Sequence, residues 1–127
     1  MIIAIGVDVT EVERMRRSVD HPRTGLRFRE RVFTPGEIAY CVRRRNYAES
    51  FAARFAAKEA TMKVLGRGFG DGIGWREIEV VRDGGRPFLR LSGQAAARAA
   101  EIGVVHWHLS LTHTASQAMA FVIAESS

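Results

Sequence analysis

Residues 51–66, FAARFAAKEATMKVLG, decide the fold of this chain. At about 100° per residue, this segment forms a helix with a narrow apolar stripe, a back of small residues and no solvated charged face. Small residues on the back allow another backbone to approach closely. We therefore predict a long helix over residues 49–65, with Gly66 as its C-terminal stop. The stripe consists of Phe51, Phe55, Met62 and Leu65, and the back consists of Ala53, Ala57, Ala60 and Val64.

Two capping boxes divide the chain upstream of this helix. In each box, a threonine and a glutamate three residues later can satisfy backbone donors at a helix N-terminus. The second box also places Pro35 at the first helical position, where proline is favoured. The predicted upstream elements are a buried strand at 2–7, a helix from the box of Thr10 and Glu13 to about residues 20–22, and a helix from the box of Thr34 and Glu37 to about Arg44.

The chain downstream of the long helix combines short strands with one more helix. The turn DGGR at 83–86 is typical of a hairpin, and Gly103 is a helix stop. The resulting order, βαααββαββ, predicts an α+β fold with a mainly antiparallel sheet and a long central helix. The predicted downstream elements are a glycine-rich loop at 66–74, strands at 75–82 and 87–91, a helix at 95–102, and strands at 106–112 and 117–125.

Length and composition predict one small globular domain, residues 1–127. The apolar opening is too short to span a bilayer, so no membrane partner is expected. Cys41 is the only cysteine, which excludes an internal disulfide and fits a reducing cytoplasm. The net charge is +5, and residues 1–45 hold ten arginines against six acidic residues. The front third therefore predicts a basic surface that attracts an acidic partner.

The positive charge is carried almost entirely by arginine. The chain has 17 arginines and only two lysines, Lys58 and Lys63, which both lie in the long helix. This choice indicates positions that need a compact ammonium group rather than a planar guanidinium. The alternative is that the lysine stems extend past the apolar stripe and that Glu59 pairs with Lys63 at i, i+4. Because this helix lacks a polar face, we favour a buried polar site.

A second carboxylate, Asp8, follows the first predicted strand. Alone, such an aspartate is usually a cap or turn residue. Together with Glu59 it supplies hard oxygen ligands without a histidine and cysteine cluster, which suits Mg²⁺ completed by water and a substrate phosphate. Lysine and arginine beside this site would neutralise the other phosphate oxygens.

Three histidines near the end of the chain raise the question of zinc. His106 and His108 alternate on one strand face, but no cysteine lies near them, and we interpret them as sheet-surface residues. His113 and Thr114 lie at a strand end, where they could instead bind an anion.

Four motifs, in order along the chain, carry a family resemblance. They are IGVDV at 5–9 with Arg14, RFAAKEA at 54–60 with Lys63 and Gly66, IEV at 78–80 with GRP at 85–87, and HLSLTHT at 108–114 with Ala118 and Ala120. Together they resemble the holo-acyl-carrier-protein synthases, the short 4′-phosphopantetheinyl transferases. The central motif is the most specific, and the match covers almost the whole chain, with residues 21–50 the least recognisable.

The resemblance implies the 4′-phosphopantetheinyl transferase fold and a magnesium-dependent enzyme of fatty-acid biosynthesis. Such an enzyme transfers 4′-phosphopantetheine from coenzyme A to a serine of apo-acyl carrier protein and releases 3′,5′-ADP, as a homotrimer with active sites between subunits. By similarity, Asp8 and Glu59 hold the metal with the pyrophosphate of coenzyme A, and Lys63 contacts that pyrophosphate. The further residues that the resemblance assigns to coenzyme A binding are Arg54, Gly66, His113 and Thr114.

The arginines of the front third are expected to dock the acidic carrier protein. At helical spacing Arg14 and Arg17 share a face, whereas Arg16 points elsewhere. The run at 43–45 is interpreted as solvated surface. The candidate docking residues are Arg14 and Arg17, together with Arg27 and Arg31 if their stretch is helical.

Two other classes of protein stay open at this point. A pI of about 10.3 would suit a small nucleic-acid-binding module, but no aromatic-interleaved basic strand or known motif accompanies it, so no nucleic-acid partner is expected. A catalytically inactive trimer that acts only by interaction is the second class. The intact set of Asp8, Glu59 and Lys63 argues against it.

Overall fold

A long helix crosses one face of a three-stranded antiparallel sheet, and a separate two-stranded hairpin packs beside it. The computed structural model describes residues 1–127, and the predicted α+β fold is confirmed. The strand order is β1-β5-β4 in the larger sheet and β2-β3 in the hairpin. The elements are β1 (Ile2–Glu11), α1 (Val12–Val19), α2 (Gly25–Val32), α3 (Pro35–Val42), α4 (Tyr47–Leu65), β2 (Ile78–Val81), β3 (Phe88–Leu91), α5 (Gly93–Glu101), β4 (His106–His113) and β5 (Gln117–Glu125).

The small residues of α4 pack directly on the sheet. Ala57 and Ala60 are fully buried, in one cluster with Ala120 and Val122 of β5. The closest approach is at Gly6 of β1, where a Cβ atom would lie 2.1 Å from the carbonyl oxygen of Ala60. The back of α4 is therefore covered by the chain's own sheet, and it does not need a second subunit to cover it.

The core has two parts, one around each half of α4. The N-terminal half packs with α1, α2 and α3, where the rings of Phe33 and Phe51 lie 4.8 Å apart between centroids. The C-terminal half packs with the hairpin, with α5 and with the inner face of the sheet. None of the helices combines the length and the apolar character needed to cross a bilayer.

Lys58 joins α4 to two other parts of the fold. Its side chain is fully buried, and its ammonium group donates to Oε1 of Glu37 at 2.8 Å and to the backbone carbonyls of Trp75 and Ile78. Burial lowers the pKa of Lys58, and the nearby Glu37 carboxylate opposes this effect. Three acceptors around a single nitrogen suit an ammonium group with its three donors. The lysine choice at this position is therefore explained by the fold rather than by a substrate.

The predicted capping box at Thr34 is confirmed and has a further role. The Thr34 hydroxyl accepts from the Glu37 amide at 3.2 Å, and the Glu37 carboxylate accepts from the Thr34 amide at 2.9 Å. The second Glu37 carboxylate oxygen accepts from the amide of Val80 in β2 at 2.8 Å. One glutamate thus caps α3, holds the hairpin and neutralises the buried lysine of α4.

The other predicted capping box, at Thr10 and Glu13, is wrong. The first strand continues through Glu11, and Thr10 pairs with Ala118 of β5 instead of capping a helix. The ladder with β5 extends to Gln117, so these backbone groups find strand partners before a helix can start. Asp8 consequently lies inside the strand rather than after it.

Two further boundaries differ from the sequence prediction. Helix α2 was not among the predicted elements, because its start is satisfied by His21, whose Nδ1 accepts from the amides of Arg23 and Thr24 at 3.2 Å, rather than by a usual cap residue. Residues 75–77 form a short 3₁₀ turn rather than part of β2. Residues 75–77 leave the strand because the Glu77 carboxylate accepts hydrogen bonds from the amide of Gly74 and from two amides at the start of α5.

We predict that Gly6→Ala lowers the free energy of unfolding by at least about 1–3 kcal/mol, because the added methyl group meets backbone that cannot move aside. The matched control is Gly85→Ala in the hairpin turn, where a Cβ atom meets nothing within 4 Å. It should change stability by no more than about 1 kcal/mol. Urea unfolding at one protein concentration measures both, and equal stability of the two variants would contradict the close-approach argument.

Candidate active site

Asp8 and Glu59 meet between β1 and α4. Alternate residues of β1 face the helix, so Gly6, Asp8 and Thr10 share this inner face. Glu59 is half-buried, and burial followed by the charge and hydrogen bond of Asp8 raises its pKa to about 7. Lys63 and Arg14 oppose this rise. Two carboxyl groups held this close repel each other when both are ionised, and they form a natural position for a cation.

Lys63 lies at the rim of this carboxylate pair. Its ammonium nitrogen is 3.5 Å from Oδ1 of Asp8 and donates to the backbone carbonyl of Val7 at 3.0 Å. Its side chain is 59% exposed, so part of the ammonium group faces solvent. The ion pair that Lys63 makes is with Asp8 rather than with Glu59, the partner suggested by helical spacing. Lys63 is therefore placed to meet an anion that arrives at the carboxylate pair.

A cleft of about 300 Å³ opens beside Glu59. Its walls combine apolar side chains of α1, α2 and α4 with polar groups of β1, and its residues include Thr10, Arg14, Met15, Phe28 and Phe55. We call it the carboxylate cleft. It shares Arg14, Ser18 and Phe28 with a more open groove that also contains Arg17 and His21. This second feature, the arginine groove, leads along the surface of α1 into the carboxylate cleft.

A separate cleft of about 340 Å³ lies beside the N-terminal half of α4. Its lining includes four side chains that can face an anion, Arg44, Arg54, Arg82 and His113. Arg54 is buried, its guanidinium lies 4.2 Å from the centre of the Tyr40 ring, and its Nε has no hydrogen-bond partner. We call this the arginine–histidine cleft. Its composition suits a phosphate group.

Sequence reasoning missed two members of this cleft. Arg44 belongs to the run at 43–45 that we interpreted as solvated surface, yet it lines the cleft and lies 5.2 Å from the Tyr40 ring centre. The run of three arginines at 43–45 was the only feature of the sequence that could have indicated Arg44 as a binding residue. Arg82 follows the hairpin strand β2 without any local motif, and nothing in the sequence pattern indicates its position.

Two of the predicted coenzyme A residues have local structural roles. The Thr114 hydroxyl accepts from the amides of Ser116 and Gln117 at 3.2 and 3.1 Å, which closes the turn between β4 and β5. Gly66 ends α4 with a φ of 70°, a left-handed conformation that favours glycine. Neither residue is among those that line the two clefts.

The two clefts lie on opposite flanks of α4. Asp8 belongs to the edge strand β1 and His113 to the other edge strand β4, with β5 between them and α4 packed above. On the helix itself, Arg54 and Glu59 are separated by about 140°. One chain therefore does not bring the predicted metal ligands and the predicted nucleotide residues into one cleft.

The three arginines of α1 lie on two different faces of the helix, as their spacing predicts. Arg14 and Arg17 both line the arginine groove. Arg16 turns away and lies 3.4 Å from Glu13 and 3.9 Å from Glu49. The stretch that carries Arg27 and Arg31 is helical, and both side chains are exposed on α2.

Comparison with known proteins gives a consistent result. The model of the 4′-phosphopantetheinyl transferase superfamily matches residues 4–122. The chain is 49% identical over 127 residues to the holo-[acyl-carrier-protein] synthase of Solibacter usitatus, covering 99% of this chain and 100% of the relative. The corresponding protein of Koribacter versatilis is 47% identical over 126 residues, covering 98% and 99% of the two chains.

Solved structures agree with these sequence relatives. A Bacillus anthracis holo-(acyl-carrier-protein) synthase in complex with CoA (3′,5′-ADP) has a TM-score of 0.79 and 34% identity, covering 100% of this chain and 99% of that one. The Helicobacter pylori holo-[acyl-carrier-protein] synthase in complex with coenzyme A has a TM-score of 0.82 and 28% identity, covering 96% and 100%.

Proposed function

This chain belongs to the holo-[acyl-carrier-protein] synthases of the 4′-phosphopantetheinyl transferase superfamily, and from that premise we infer how its residues act. The reaction transfers 4′-phosphopantetheine from coenzyme A to a serine of apo-acyl carrier protein and releases 3′,5′-ADP. The observation that carries the assignment of the site is the adjacent pair of Asp8 and Glu59, with Lys63 at its rim and the carboxylate cleft beside it.

The carboxylate pair fits a Mg²⁺ ion. Both donors are hard oxygens. Burial, followed by the charge of Asp8, raises the pKa of Glu59, and a divalent cation would relieve the repulsion between the two carboxylates. No group of three or more histidine, cysteine, aspartate or glutamate side chains gathers in the chain, so the remaining ligands would be water and the substrate pyrophosphate. When bound, the ion supplies charge neutralisation at the pyrophosphate.

The transfer exchanges one phosphorus–oxygen bond for another. The serine oxygen of the carrier forms a bond to the β-phosphorus, which bears the pantetheine arm. The bond from that phosphorus to the bridging oxygen breaks, and its electron pair leaves with 3′,5′-ADP. The serine proton passes to Glu59 or to water in the cleft. Lys63 stabilises the charge that grows on the leaving group, so positioning and charge neutralisation provide most of the acceleration.

The arginine–histidine cleft is our candidate site for the 3′-phosphate of coenzyme A. Arg54 and His113 reach it from two elements, and Arg44 and Arg82 add positive charge. Thr114 would contribute from the adjoining turn. Gly66, which ends α4 one turn after Lys63, would leave room for the nucleotide near the pyrophosphate.

The separation of the two clefts supports active sites shared between subunits. One coenzyme A molecule can use both residue sets only if the arginine–histidine cleft of one protomer faces the carboxylate cleft of another. The outer face of the sheet offers a surface for this assembly, because Ile5, Val7, Val9 and Phe121 are 60%, 38%, 41% and 47% exposed. Closed cyclic symmetry would bury this face in every copy. The number of three copies rests on the family resemblance.

The arginine groove is our candidate docking surface for the carrier protein. Arg14 and Arg17 line it, and Arg27 and Arg31 extend the exposed positive charge onto α2. An acidic helix laid along this groove would bring a nearby serine to the mouth of the carboxylate cleft. Such charge complementarity increases the rate of encounter and is screened by salt.

We place the reaction in the cytoplasm, in fatty-acid biosynthesis. Cys41, the only cysteine, is a buried free thiol, and burial raises its pKa to about 12. A chain with one inert thiol and no disulfide is compatible with a reducing compartment.

The first prediction concerns the carboxylate pair. Incubation with coenzyme A, Mg²⁺ and apo-carrier protein should add the mass of phosphopantetheine to the carrier. Asp8→Asn and Glu59→Gln should each reduce turnover by about 10²–10³-fold while the protein stays folded, because each removes a charged oxygen ligand of the cation that would neutralise the pyrophosphate. Intact mass spectrometry and circular dichroism measure these effects. Full activity in excess chelator would refute the metal assignment.

The second prediction concerns Lys63. Replacement by arginine should reduce turnover roughly tenfold, because the planar guanidinium cannot place its charge where the compact ammonium does. Arg90→Lys on the exposed hairpin is the control, because it exchanges the same two residue types away from the site. If the kinetics of Lys63→Arg match the wild type, the choice of lysine at this position is incidental.

The third prediction concerns assembly. Sedimentation should show a trimer, and Phe121→Arg should dissociate it and reduce activity, because charge on the outer sheet face opposes burial. Leu26→Arg, at a 69% exposed position on α2, should leave sedimentation unchanged. A wild-type monomer with full activity would exclude shared sites.

The fourth prediction concerns carrier docking. Arg14→Glu should raise KM for the carrier protein much more than KM for coenzyme A, and rising salt should weaken carrier binding. Arg45→Glu makes the same charge change at an exposed position outside the groove and should have a smaller effect. If Arg14→Glu changed KM for the carrier protein and KM for coenzyme A equally, Arg14 would be an ordinary solvated surface residue and not a docking residue.

A further inference from the structure

Thr10 is a buried polar residue that the fold leaves unsatisfied. It is 8% exposed, and its hydroxyl oxygen has no hydrogen-bond partner. An unsatisfied buried hydroxyl lowers stability, and a valine of the same shape would avoid that cost. The only other orphaned buried side-chain atom is Nε of Arg54, which lies in the arginine–histidine cleft. Both orphaned groups therefore lie in walls of candidate substrate clefts.

The position of Thr10 relates it to the acceptor side of the reaction. It shares the inner face of β1 with Asp8, about 6.6 Å along the strand. It lines the carboxylate cleft together with Glu59, and that cleft joins the arginine groove through Arg14. A serine that enters the carboxylate cleft from the groove would therefore come close to Thr10.

No hydrogen bond inside the protein holds the Thr10 hydroxyl in its present orientation. Its oxygen is shielded from solvent in the present rotamer, while the residue as a whole lines the cleft. Rotation about the Cα–Cβ bond by about 120° moves the hydroxyl into the position of another Cβ substituent. Because the hydroxyl forms no hydrogen bond inside the protein, this rotation breaks none.

We propose that Thr10 is the positioning residue for the acceptor serine, with its hydroxyl donating a hydrogen bond to the serine oxygen as that oxygen approaches the β-phosphorus. This donor engages one lone pair of the serine oxygen and leaves the other directed at phosphorus. The inference rests on the transfer reaction proposed above. It adds a hydrogen-bond donor to the serine oxygen, whereas Glu59 would only accept the serine proton.

Thr10→Val and Thr10→Ser test this contact. Thr10→Val keeps the shape but removes the donor, so kcat/KM for the carrier should fall roughly tenfold or more, and Thr10→Ser should retain most of it. Thr10→Val should unfold at an equal or higher urea concentration, because it removes an unsatisfied hydroxyl. If Thr10 had only a structural role, Thr10→Val would not lower kcat/KM for the carrier while leaving the stability of the protein equal or higher. Thr61→Val is the matched control, since it removes a buried hydroxyl that already donates to the Ala57 carbonyl at 2.7 Å.

Calorimetry with coenzyme A and with 3′,5′-ADP, in the absence of carrier, identifies which substrate the hydroxyl contacts. The proposal expects both affinities to be unchanged in Thr10→Val. A loss of coenzyme A affinity as large as the loss of transfer would overturn it, because the contact would then be to the pantetheine arm. Wild-type transfer rates in Thr10→Val would also overturn it. Failure of the wild-type protein to modify any carrier would instead count against the transfer reaction itself.

Discussion

The contact between Gly6 and Ala60 sets the geometry on which the site depends. Only a residue without a side chain allows β1 to approach the backbone of α4 this closely, since a Cβ atom would lie 2.1 Å from the Ala60 carbonyl oxygen. Asp8 is two residues further along the same face of the strand, and Glu59 precedes Ala60 on the helix. The approach of the two backbones therefore brings the carboxyl groups close together, and burial followed by the charge of Asp8 raises the pKa of Glu59 to about 7.

The same helix keeps two chemically different clefts apart. The buried ammonium of Lys58, held by Glu37, fixes α4 against α3 and the hairpin, so the helix cannot easily turn about its axis. One flank then presents two carboxylates, and the other presents an arginine–histidine cleft. A pyrophosphate with a distant 3′-phosphate needs both kinds of environment. We propose that the second environment comes from a neighbouring protomer, with the exposed apolar face of the sheet as the surface for assembly.

The sequence predicts those features that depend on local patterns. The long helix, its stop at Gly66 and the capping box at Thr34 follow from residues within a few positions of one another, and the structure has all three. The strand placement of Asp8 was wrong because pairing with β5, which lies more than a hundred residues away in the chain, decides where β1 ends. Helix α2 was missed because its start is satisfied by His21, which is not among the usual caps.

The motifs predict Asp8, Glu59, Lys63, Arg54 and His113 as candidate site residues, but the division of these residues between two flanks of α4 depends on the sheet order. That division leads to one direct measurement. If the proposed roles are correct, Glu59→Gln disables the carboxylate cleft and Arg54→Gln disables the arginine–histidine cleft, so each variant alone should be nearly inactive. Refolding an equal mixture should restore about a quarter of wild-type transfer, because about one interface in four then pairs two intact halves. Mixed trimers that form, as shown by native mass spectrometry, and yet stay inactive would contradict a site shared between protomers.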